Sequence, residues 1–345
     1  MKIIHTADIH LDSPLSRVKD PVKRRYELLQ ALANLAEYAT NNGVSAVIVA
    51  GDLFDDKFTA PQTVNAVADI IGSCSADWYV LRGNHGDASP YGRLQSVCPK
   101  VNLFGDEWTY YDIGNVTVCG RELGVNDAMR YAELSLDSSR YNVVVLHGDV
   151  DDDGYGLIDK KALAKSGANY VALGHRHAFA QFKFGSVTAC YPGVLEARGF
   201  DETEQTGFVV VDTDKDEARF VPQSLRKVTT VTVDVSAADN DVALSKAITD
   251  AVSAQSPRNY LNAVFVGALK EGVHLKLIAD ETLSDRFFAL RIDDRTTVSY
   301  NLDELAREVS LRGEFVKLAM KIADENTRNS VLKFGLDALS GAELL

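Results

Sequence analysis

Apolar and polar positions alternate along the first part of the chain in a way that predicts strands and helices in turn. Lys2–Ala7 has the pattern of a short apolar strand, and Pro21–Asn42 that of a helix with its leucines on one face. Val44–Ala50 is a continuous apolar run, which is typical of a buried strand. Pro61–Ser73 is helical in pattern, and Asp77–Leu81 is again a strand. This alternation predicts an α/β fold with a layered sheet core.

Strand patterns dominate the next part of the chain, with fewer helices between them. They cover Val116–Gly120, Asn142–His147, Tyr170–Leu173, Ser186–Cys190 and Phe208–Asp212. Because few helices separate these strands, we expect more antiparallel pairing here than near the start of the chain.

The pattern changes again after residues 224–226. Lys227–Val235 and Ala263–Leu269 read as strands on either side of a helix at Val242–Ser253, and from Asn301 onward the pattern is helical. We therefore predict three segments. They are a main domain over 1–225, a small α/β capping domain over 226–298 and a C-terminal helical segment over 299–345.

Composition narrows the class of protein. The chain is 46% hydrophobic and 25% charged, contains no uncharged apolar run near the roughly 18 residues of a membrane span, and shows no secretion signal at its start. Its four cysteines are far apart and form no CxxC pair, which predicts a reduced, cytoplasmic protein without a membrane partner. The net charge of −13 argues against a broad basic surface for nucleic acid, unless bound cations or a partner protein offset it.

Five polar segments directly follow predicted strands, and each contains side chains that ligate metals. They are Asp8-Ile9-His10, Gly51-Asp52, Gly83-Asn84-His85, His147-Gly148 and Gly174-His175-Arg176-His177. Since loops at the carboxyl ends of strands converge on one rim, we expect these segments to meet in space. Imidazole suits transition metals and carboxylate or amide oxygens suit harder ions, so the mixed set can hold two ions about 3.5–4 Å apart that act on a phosphate.

Each segment alone has an ordinary structural explanation, because Gly-Asp and Gly-Asn after a strand are usually turns. The joint occurrence is more specific. The order D-x-H, G-D-x-x-D, G-N-H, H and G-H-x-H resembles that of the calcineurin-like metallophosphoesterase superfamily. Residues 4–14, 192–202 and 311–315 are similar to the SbcD-type DNA repair exonucleases, and most of all to their YhaO-like bacterial branch. The resemblance implies a layered metallophosphoesterase β-sandwich flanked by helices.

The resemblance also implies a role for eight side chains. The first ion would be held by Asp8, His10 and His177, the second by Asn84, His147 and His175, and both by Asp52. His85 would face the scissile phosphate as the catalytic residue. The implied cofactors are two divalent ions, usually manganese, and the implied reaction is attack on phosphorus by a metal-activated hydroxide.

Four further residues stand apart from this set. Relatives often carry histidine where this chain has Asp55, so we expect a turn or structural role for Asp55. Arg198 has two open interpretations, a contact with a DNA phosphate or an ordinary surface ion pair. His5 lies inside the first strand and His274 lies outside every motif, and neither is expected to bind a metal.

The leading hypothesis for function is a manganese-dependent DNA exonuclease or endonuclease of DNA repair. One alternative is a phosphoesterase for small molecules or phosphoproteins, and another is a non-catalytic scaffold for a partner ATPase. The resemblance implies DNA and an SbcC-like coiled-coil ATPase as partners, with the C-terminal helices as the docking element, and a possible homodimer. Packing of those helices on the second lobe is the other interpretation.

Overall fold

A computed structural model describes residues 1–15, 18–55, 59–85, 87–123, 131–150, 156–203 and 205–339. The chain forms two compact units. Unit 1 comprises Met1–Thr230, Ser256–Asn262 and Phe287–Arg291, and unit 2 comprises Val231–Gln255, Ala263–Arg286 and the described residues of Ile292–Leu345. The three-segment division stays a prediction, since compactness alone does not mark the limits of a domain.

The first sheet of unit 1 has six strands in the order β12-β11-β1-β2-β3-β4. Its strands are β1 (Lys2–Thr6), β2 (Ala46–Ala50), β3 (Asp77–Leu81), β4 (Val101–Leu103), β11 (Gly207–Asp212) and β12 (Glu217–Pro222). Strands β1 to β4 are parallel, while β11 pairs antiparallel with β1 and β12 pairs antiparallel with β11. The carboxyl ends of β1, β2 and β3 therefore lie at one edge.

The second sheet of unit 1 also has six strands, in the order β5-β6-β7-β8-β10-β9. Its strands are β5 (Thr109–Ile113), β6 (Val116–Gly120), β7 (Tyr141–His147), β8 (Tyr170–Gly174), β9 (Ala180–Phe184) and β10 (Val187–Tyr191). The four central strands are parallel and the two edge strands are antiparallel to them. The second sheet thus mixes both pairings, and its antiparallel pairs lie at its two edges.

Alternate residues of β1 show how the layers pack. Ile3 is buried in a cluster shared with Val143 and Val145 of the second sheet, whereas Ile4 is buried in a cluster with Leu28 and Leu32 of the covering helix. Successive side chains of a strand point to opposite faces, so the first sheet is buried on both sides. The helices of unit 1 are α1 (Pro21–Asn41), α2 (Pro61–Ser73), α3 (Ala88–Val97) and α4 (Lys160–Leu163). The predicted α/β class and layered, helix-flanked architecture are confirmed.

The rest of the chain contains a three-stranded sheet and five helices among the residues described. They are β13 (Val228–Asp234), α5 (Asp241–Val252), β14 (Tyr260–Lys270), α6 (Leu275–Leu283), β15 (Ala289–Ser299), α7 (Leu302–Leu305), α8 (Leu311–Ala319) and α9 (Glu325–Leu339). The last three helices share a buried apolar cluster, and Arg312 of α8 forms an ion pair with Glu271 at 2.6 Å. In the described parts of the chain, no helix is long and apolar enough to cross a membrane.

Unit 1 also contains a buried ion cluster made of Arg24, Glu27, Glu196 and Arg226. Arg24 of α1 is fully buried and donates to Glu196 at 2.6 Å and to Glu27 at 3.0 Å. Arg226 binds both carboxylate oxygens of Glu27, at 2.6 and 2.7 Å. Glu196 also accepts the backbone N–H groups of Leu225 and Arg226. Two buried cations therefore face two carboxylates, and together they fix the chain at residues 225–226 against α1.

Candidate metal centre

The five motif loops meet at one edge of unit 1, where the carboxyl ends of strands from both sheets come together. Three loops follow β1, β2 and β3, and the other two follow β7 and β8. The structure brings together all eight side chains predicted for the site. These are Asp8, His10, Asp52, Asn84, His85, His147, His175 and His177.

Backbone strain is concentrated in these loops. Seven described residues other than glycine have a positive φ, and four of them are predicted ligands: Asp8 at 52°, His10 at 50°, Asp52 at 53° and His175 at 104°. Each such conformation costs on the order of 1–3 kcal/mol unless the surroundings impose it. The fold therefore holds these side chains in place at a cost in stability, which is typical of a functional site.

Two glycines let the loops approach one another closely. A Cβ on Gly51 would lie 2.0 Å from Nδ1 of His147, and a Cβ on Gly83 would lie 2.3 Å from Oδ1 of Asp52. Both glycines also have a positive φ, of 104° and 89°. Any larger residue at either position would displace a predicted ligand.

His10 shows why the first group of side chains fits a cation. Its Nδ1 lies 2.7 Å from the Asp55 carboxylate and donates a proton to it, so that Nε2 carries a lone pair. That Nε2 is buried without a hydrogen-bond partner, 4.0 Å from Asp8 and 3.8 Å from Asp52. Ligand atoms of Asp8, His10 and His177 lie within 4.8 Å of one another. A buried lone pair beside two carboxylates is costly by itself and becomes favourable around a metal ion.

The second group has the same character. Nδ1 of His147 donates to the carbonyl oxygen of Ala50 at 2.9 Å, so its Nε2 faces Oδ1 of Asn84 at 2.7 Å and Oδ2 of Asp52 at 3.3 Å. Oδ1 of Asn84 also lies 3.2 Å from Nδ1 of His175. Because lone pairs and oxygen acceptors converge on one point, this group also fits a cation. Asp52 contacts both groups, as expected of a shared ligand.

Burial shifts the proton affinities of these groups strongly. It raises the pKa of Asp8 to about 6, with Asp52 adding to the effect, and lowers the pKa of His10 to about 4 despite the bond to Asp55. Burial also opposes ionisation of Asp52, but its contacts with His147 outweigh this and lower its pKa. Without metal, ionisation of Asp8 is therefore unfavourable, and a bound divalent cation would offset this cost.

His85 differs from the buried histidines because about half of its side chain is exposed. Its backbone N–H donates to Asp52 at 2.9 Å, and its ring packs edge-on against His10. Its Nδ1 lies 3.4 Å from the Asp55 carboxylate, which raises the pKa of His85. This histidine is therefore held beside the candidate ligands while its outer edge stays open to a substrate.

Three carboxylates that the sequence did not assign to the site hold its histidines in place. Asp55, expected to have a turn or structural role, contacts His10 and His85. Glu202 lies 3.0 Å from Nδ1 of His177, and Asp149 lies 3.5 Å from Nε2 of His175. Carboxylates that accept the second ring N–H of a histidine orient it toward a metal. The only sequence signal for these residues was the position of Asp55, three residues after Asp52.

His5 and His274 lie apart from this centre. His5 is buried in β1, where it contacts the Tyr170 hydroxyl and the Leu173 carbonyl, and burial lowers its pKa to about 3. His274 is exposed and pairs with Asp241 at 3.0 Å. Both contacts agree with the expectation that neither residue is a ligand.

Comparison with known proteins decides the family. Residues 1–216 match the calcineurin-like phosphoesterase superfamily domain. The chain belongs to this superfamily of metal-dependent hydrolases. It is 26% identical to the uncharacterized metallophosphoesterase YhaO of Bacillus subtilis, an alignment that covers 88% of this chain and 84% of that protein.

Two proteins with named roles are more distant relatives. The DNA double-strand break repair protein Mre11 of Aeropyrum pernix is 24% identical over 60% of this chain and 56% of its own length. A component of the nuclease SbcCD of Staphylococcus epidermidis is 20% identical over 64% of this chain and 69% of its own length. The superfamily and the fold are thereby established and a phosphoesterase activity is supported, while the SbcD-type assignment remains an inference.

Proposed function

We propose that the protein is a two-metal-ion phosphodiesterase that cleaves DNA as an exonuclease or endonuclease in DNA repair. The observation that carries the metal chemistry is the buried, unpartnered Nε2 of His10 beside Asp8 and Asp52. DNA as the substrate is supported by two named relatives, a double-strand break repair protein and a nuclease component. An SbcC-like ATPase partner, a homodimer and a cytoplasmic location are part of the same proposal.

Seven side chains would hold the two ions, for which we propose manganese. The first ion would be bound by Asp8, His10 and His177, the second by Asn84, His147 and His175, and both by Asp52. When bound, two such ions supply a clamp on the phosphate oxygens and an activated water. The strained loops fix the ligands before substrate arrives, so little reorganisation is needed during the reaction.

His85 would act on the substrate directly. Asp55 accepts from its Nδ1 side and raises its pKa, which favours the doubly protonated ring with an N–H on the edge that is open to solvent. That N–H can donate to the scissile phosphate or to the leaving oxygen as it gains negative charge. Because this contact would strengthen as charge develops, it favours the transition state over bound substrate.

A phosphoesterase for small molecules or phosphoproteins is the second candidate, favoured by the net charge of −13, which disfavours a polyanion. A scaffold without catalysis is less well supported, because every predicted ligand and His85 meet in one centre. The two enzyme hypotheses differ in substrate only.

Manganese-dependent cleavage of end-labelled linear and single-stranded DNA tests the proposal. A small phosphodiester is assayed in parallel, and Asp52→Ala serves as the inactive control. Cleavage of DNA by the parent protein and not by Asp52→Ala would support the nuclease hypothesis. Hydrolysis of the ester without DNA cleavage, even after a coiled-coil ATPase partner is added, would contradict it and support the second candidate. A protein that takes up no manganese would contradict both enzyme proposals.

His85→Ala separates catalysis from metal binding. We expect turnover to fall by roughly 10²–10⁴-fold, because general acid catalysis is lost. Both ions should still bind, as measured by elemental analysis after gel filtration. Loss of bound metal in this variant would show that His85 is a ligand instead.

A further inference from the structure

Arg198 lies between two of the carboxylates that hold the histidines of the centre. One of its guanidinium nitrogens, Nη1, lies 3.4 Å from Oδ1 of Asp55. The other nitrogens, Nη2 and Nε, lie 2.7 and 3.1 Å from Oε1 of Glu202. Asp55 contacts His10 and His85, and Glu202 contacts His177. A single guanidinium thus contacts both of the carboxylates that hold His10 and His177, the two histidines proposed for the first ion.

The Glu202 carboxylate has little freedom in this arrangement. One oxygen accepts the backbone N–H of Arg198 at 2.6 Å, while the other contacts the Arg198 side chain and His177. Nδ1 of His177 lies 3.0 Å from Glu202 and 3.4 Å from Nη2 of Arg198, and the nearer Glu202 oxygen can accept a proton from it. A carboxylate that accepts from Nδ1 orients the ring so that its other nitrogen, Nε2, can bind a metal ion.

The segment from Glu196 to Glu202 is anchored at both ends. Glu196 is buried in the ion cluster with Arg24, and Arg24 also donates to the carbonyl oxygen of Ala197. At the other end Glu202 is fixed to His177. The backbone at Arg198 is therefore held relative to both α1 and the centre, so that its side chain acts from a fixed position.

We propose that Arg198 is a positioning residue of the first ion site and does not bind substrate phosphate. The inference rests on the proposed two-metal site and identifies a residue that keeps the histidines of that site correctly oriented. The guanidinium is already engaged by two carboxylates, and only 15% of the side chain is exposed. A phosphate ligand would have to share the guanidinium with Asp55 and Glu202, and would thereby weaken their contacts with it.

Arg198→Ala tests this by manganese titration calorimetry on the full chain. We expect the first ion to bind about 10–100-fold more weakly, as when such a partner of a metal-bound histidine is lost, while the second ion binds as in the parent. The exchange-coupled paramagnetic resonance signal of a manganese pair should be lost at concentrations that fill both sites of the parent. A direct phosphate contact predicts instead a raised KM with both ions bound normally.

Arg198→Lys sharpens the distinction. Lysine keeps the charge but cannot bridge two carboxylates as a planar guanidinium does, so we expect metal affinity to stay low. A phosphate contact would be largely rescued by lysine, because an ammonium also binds phosphate. The matched control is Arg291→Ala, which removes an exposed arginine paired with Asp201 in the same segment at 3.8 Å. This control should bind both ions as the parent does.

The outcomes separate the two proposals. If the parent protein binds two ions and Arg198→Ala binds both with unchanged affinity, the positioning role is wrong while the two-metal site stands. If the parent binds no manganese, the proposed function and this inference both fail. Should Arg198→Ala not fold, Glu202→Gln provides the same test. It keeps the volume and one acceptor but loses the charge, and we expect weaker binding of the first ion only.

Discussion

Unit 1 buries two polar clusters, and they differ in how their charges are balanced. In the ion cluster, the guanidinium groups of Arg24 and Arg226 face the carboxylates of Glu27 and Glu196. The candidate metal centre has carboxylates and imidazole nitrogens at its middle, and Arg176 and Arg198 pair with the outer carboxylates Asp149, Asp55 and Glu202. A buried cluster that pairs its own charges is structural, whereas one with surplus acceptors requires a cation from outside.

The two clusters also differ in backbone strain. The loops of the metal centre contain ligands with positive φ, such as Asp8 and His175, while the members of the ion cluster have no such conformation. Strain is retained where it positions reacting groups and is absent where charges only join segments. Changes in the centre should therefore mainly affect activity and metal binding, and changes in the ion cluster should mainly affect stability.

Asp52→Ala should have the largest effect on activity. It removes the carboxylate that lies close to both His10 and His147, so both ions should bind weakly. Turnover should fall by at least about 10³-fold. Activity assays and manganese calorimetry measure the two effects, while urea unfolding without metal should show a folded protein. Retention of both ions by this variant would contradict the shared-ligand role.

Glu196→Ala should have the largest effect on stability. It removes the buried partner of Arg24 and leaves only the more exposed Glu27, and loss of one partner of a buried ion pair typically costs about 3–5 kcal/mol. Urea unfolding measures the loss, and manganese binding by the folded fraction should persist. Glu27→Ala is the comparison variant, because its carboxylate is more exposed and its removal should cost less. Equal losses in the two variants would contradict the importance of burial in this cluster.

Asp8→Asn should stabilise the metal-free protein at neutral pH. The folded pKa of Asp8, about 6, lies above its ordinary value of 3.8, so the folded state is penalised as pH rises through this window. The penalty is small below pH 4, grows between pH 4 and pH 6, and approaches about 3 kcal/mol above pH 6.

Urea unfolding in chelator at pH 4.5 and pH 7 tests the prediction for Asp8. The stability gain of Asp8→Asn should be present in full at pH 7 and reduced to about a third at pH 4.5. Asp201→Asn, at an exposed carboxylate, should change stability little at either pH. A gain that is the same at both values would rule out ionisation of Asp8 as its cause.

Asp55→Asn should have the smallest of these effects. It keeps an acceptor for His10 but loses the charge that holds His10, His85 and Arg198 together. We expect the first ion to bind about 10-fold more weakly. This is the lower end of the range of affinity losses seen when a metal-bound histidine loses its hydrogen-bond partner. Manganese calorimetry measures the change. An unchanged affinity would mean that the charge of Asp55 does not matter for the first ion.

The core elements of the fold were predictable because their apolar patterns are strong. The helix Pro61–Ser73 and the strand Asp77–Leu81 have the predicted bounds, and the helix predicted over Pro21–Asn42 ends one residue earlier. The weaker strands were not predicted. An example is β15, whose charged and threonine-rich sequence is mostly exposed along one side and shows no clear alternation.

The sequence by itself determined which side chains could bind metal. Metal ions require particular donor atoms, and the side chains that carry these atoms follow strands whose carboxyl ends lie at one edge of the fold. It also determined the superfamily, through the order of those donors. Only the tertiary structure decided which carboxylate holds which histidine. Glu202 and His177, like Asp55 and His85, come from different loops, and hydrogen bonds form between groups that are close in space, whatever their separation along the chain.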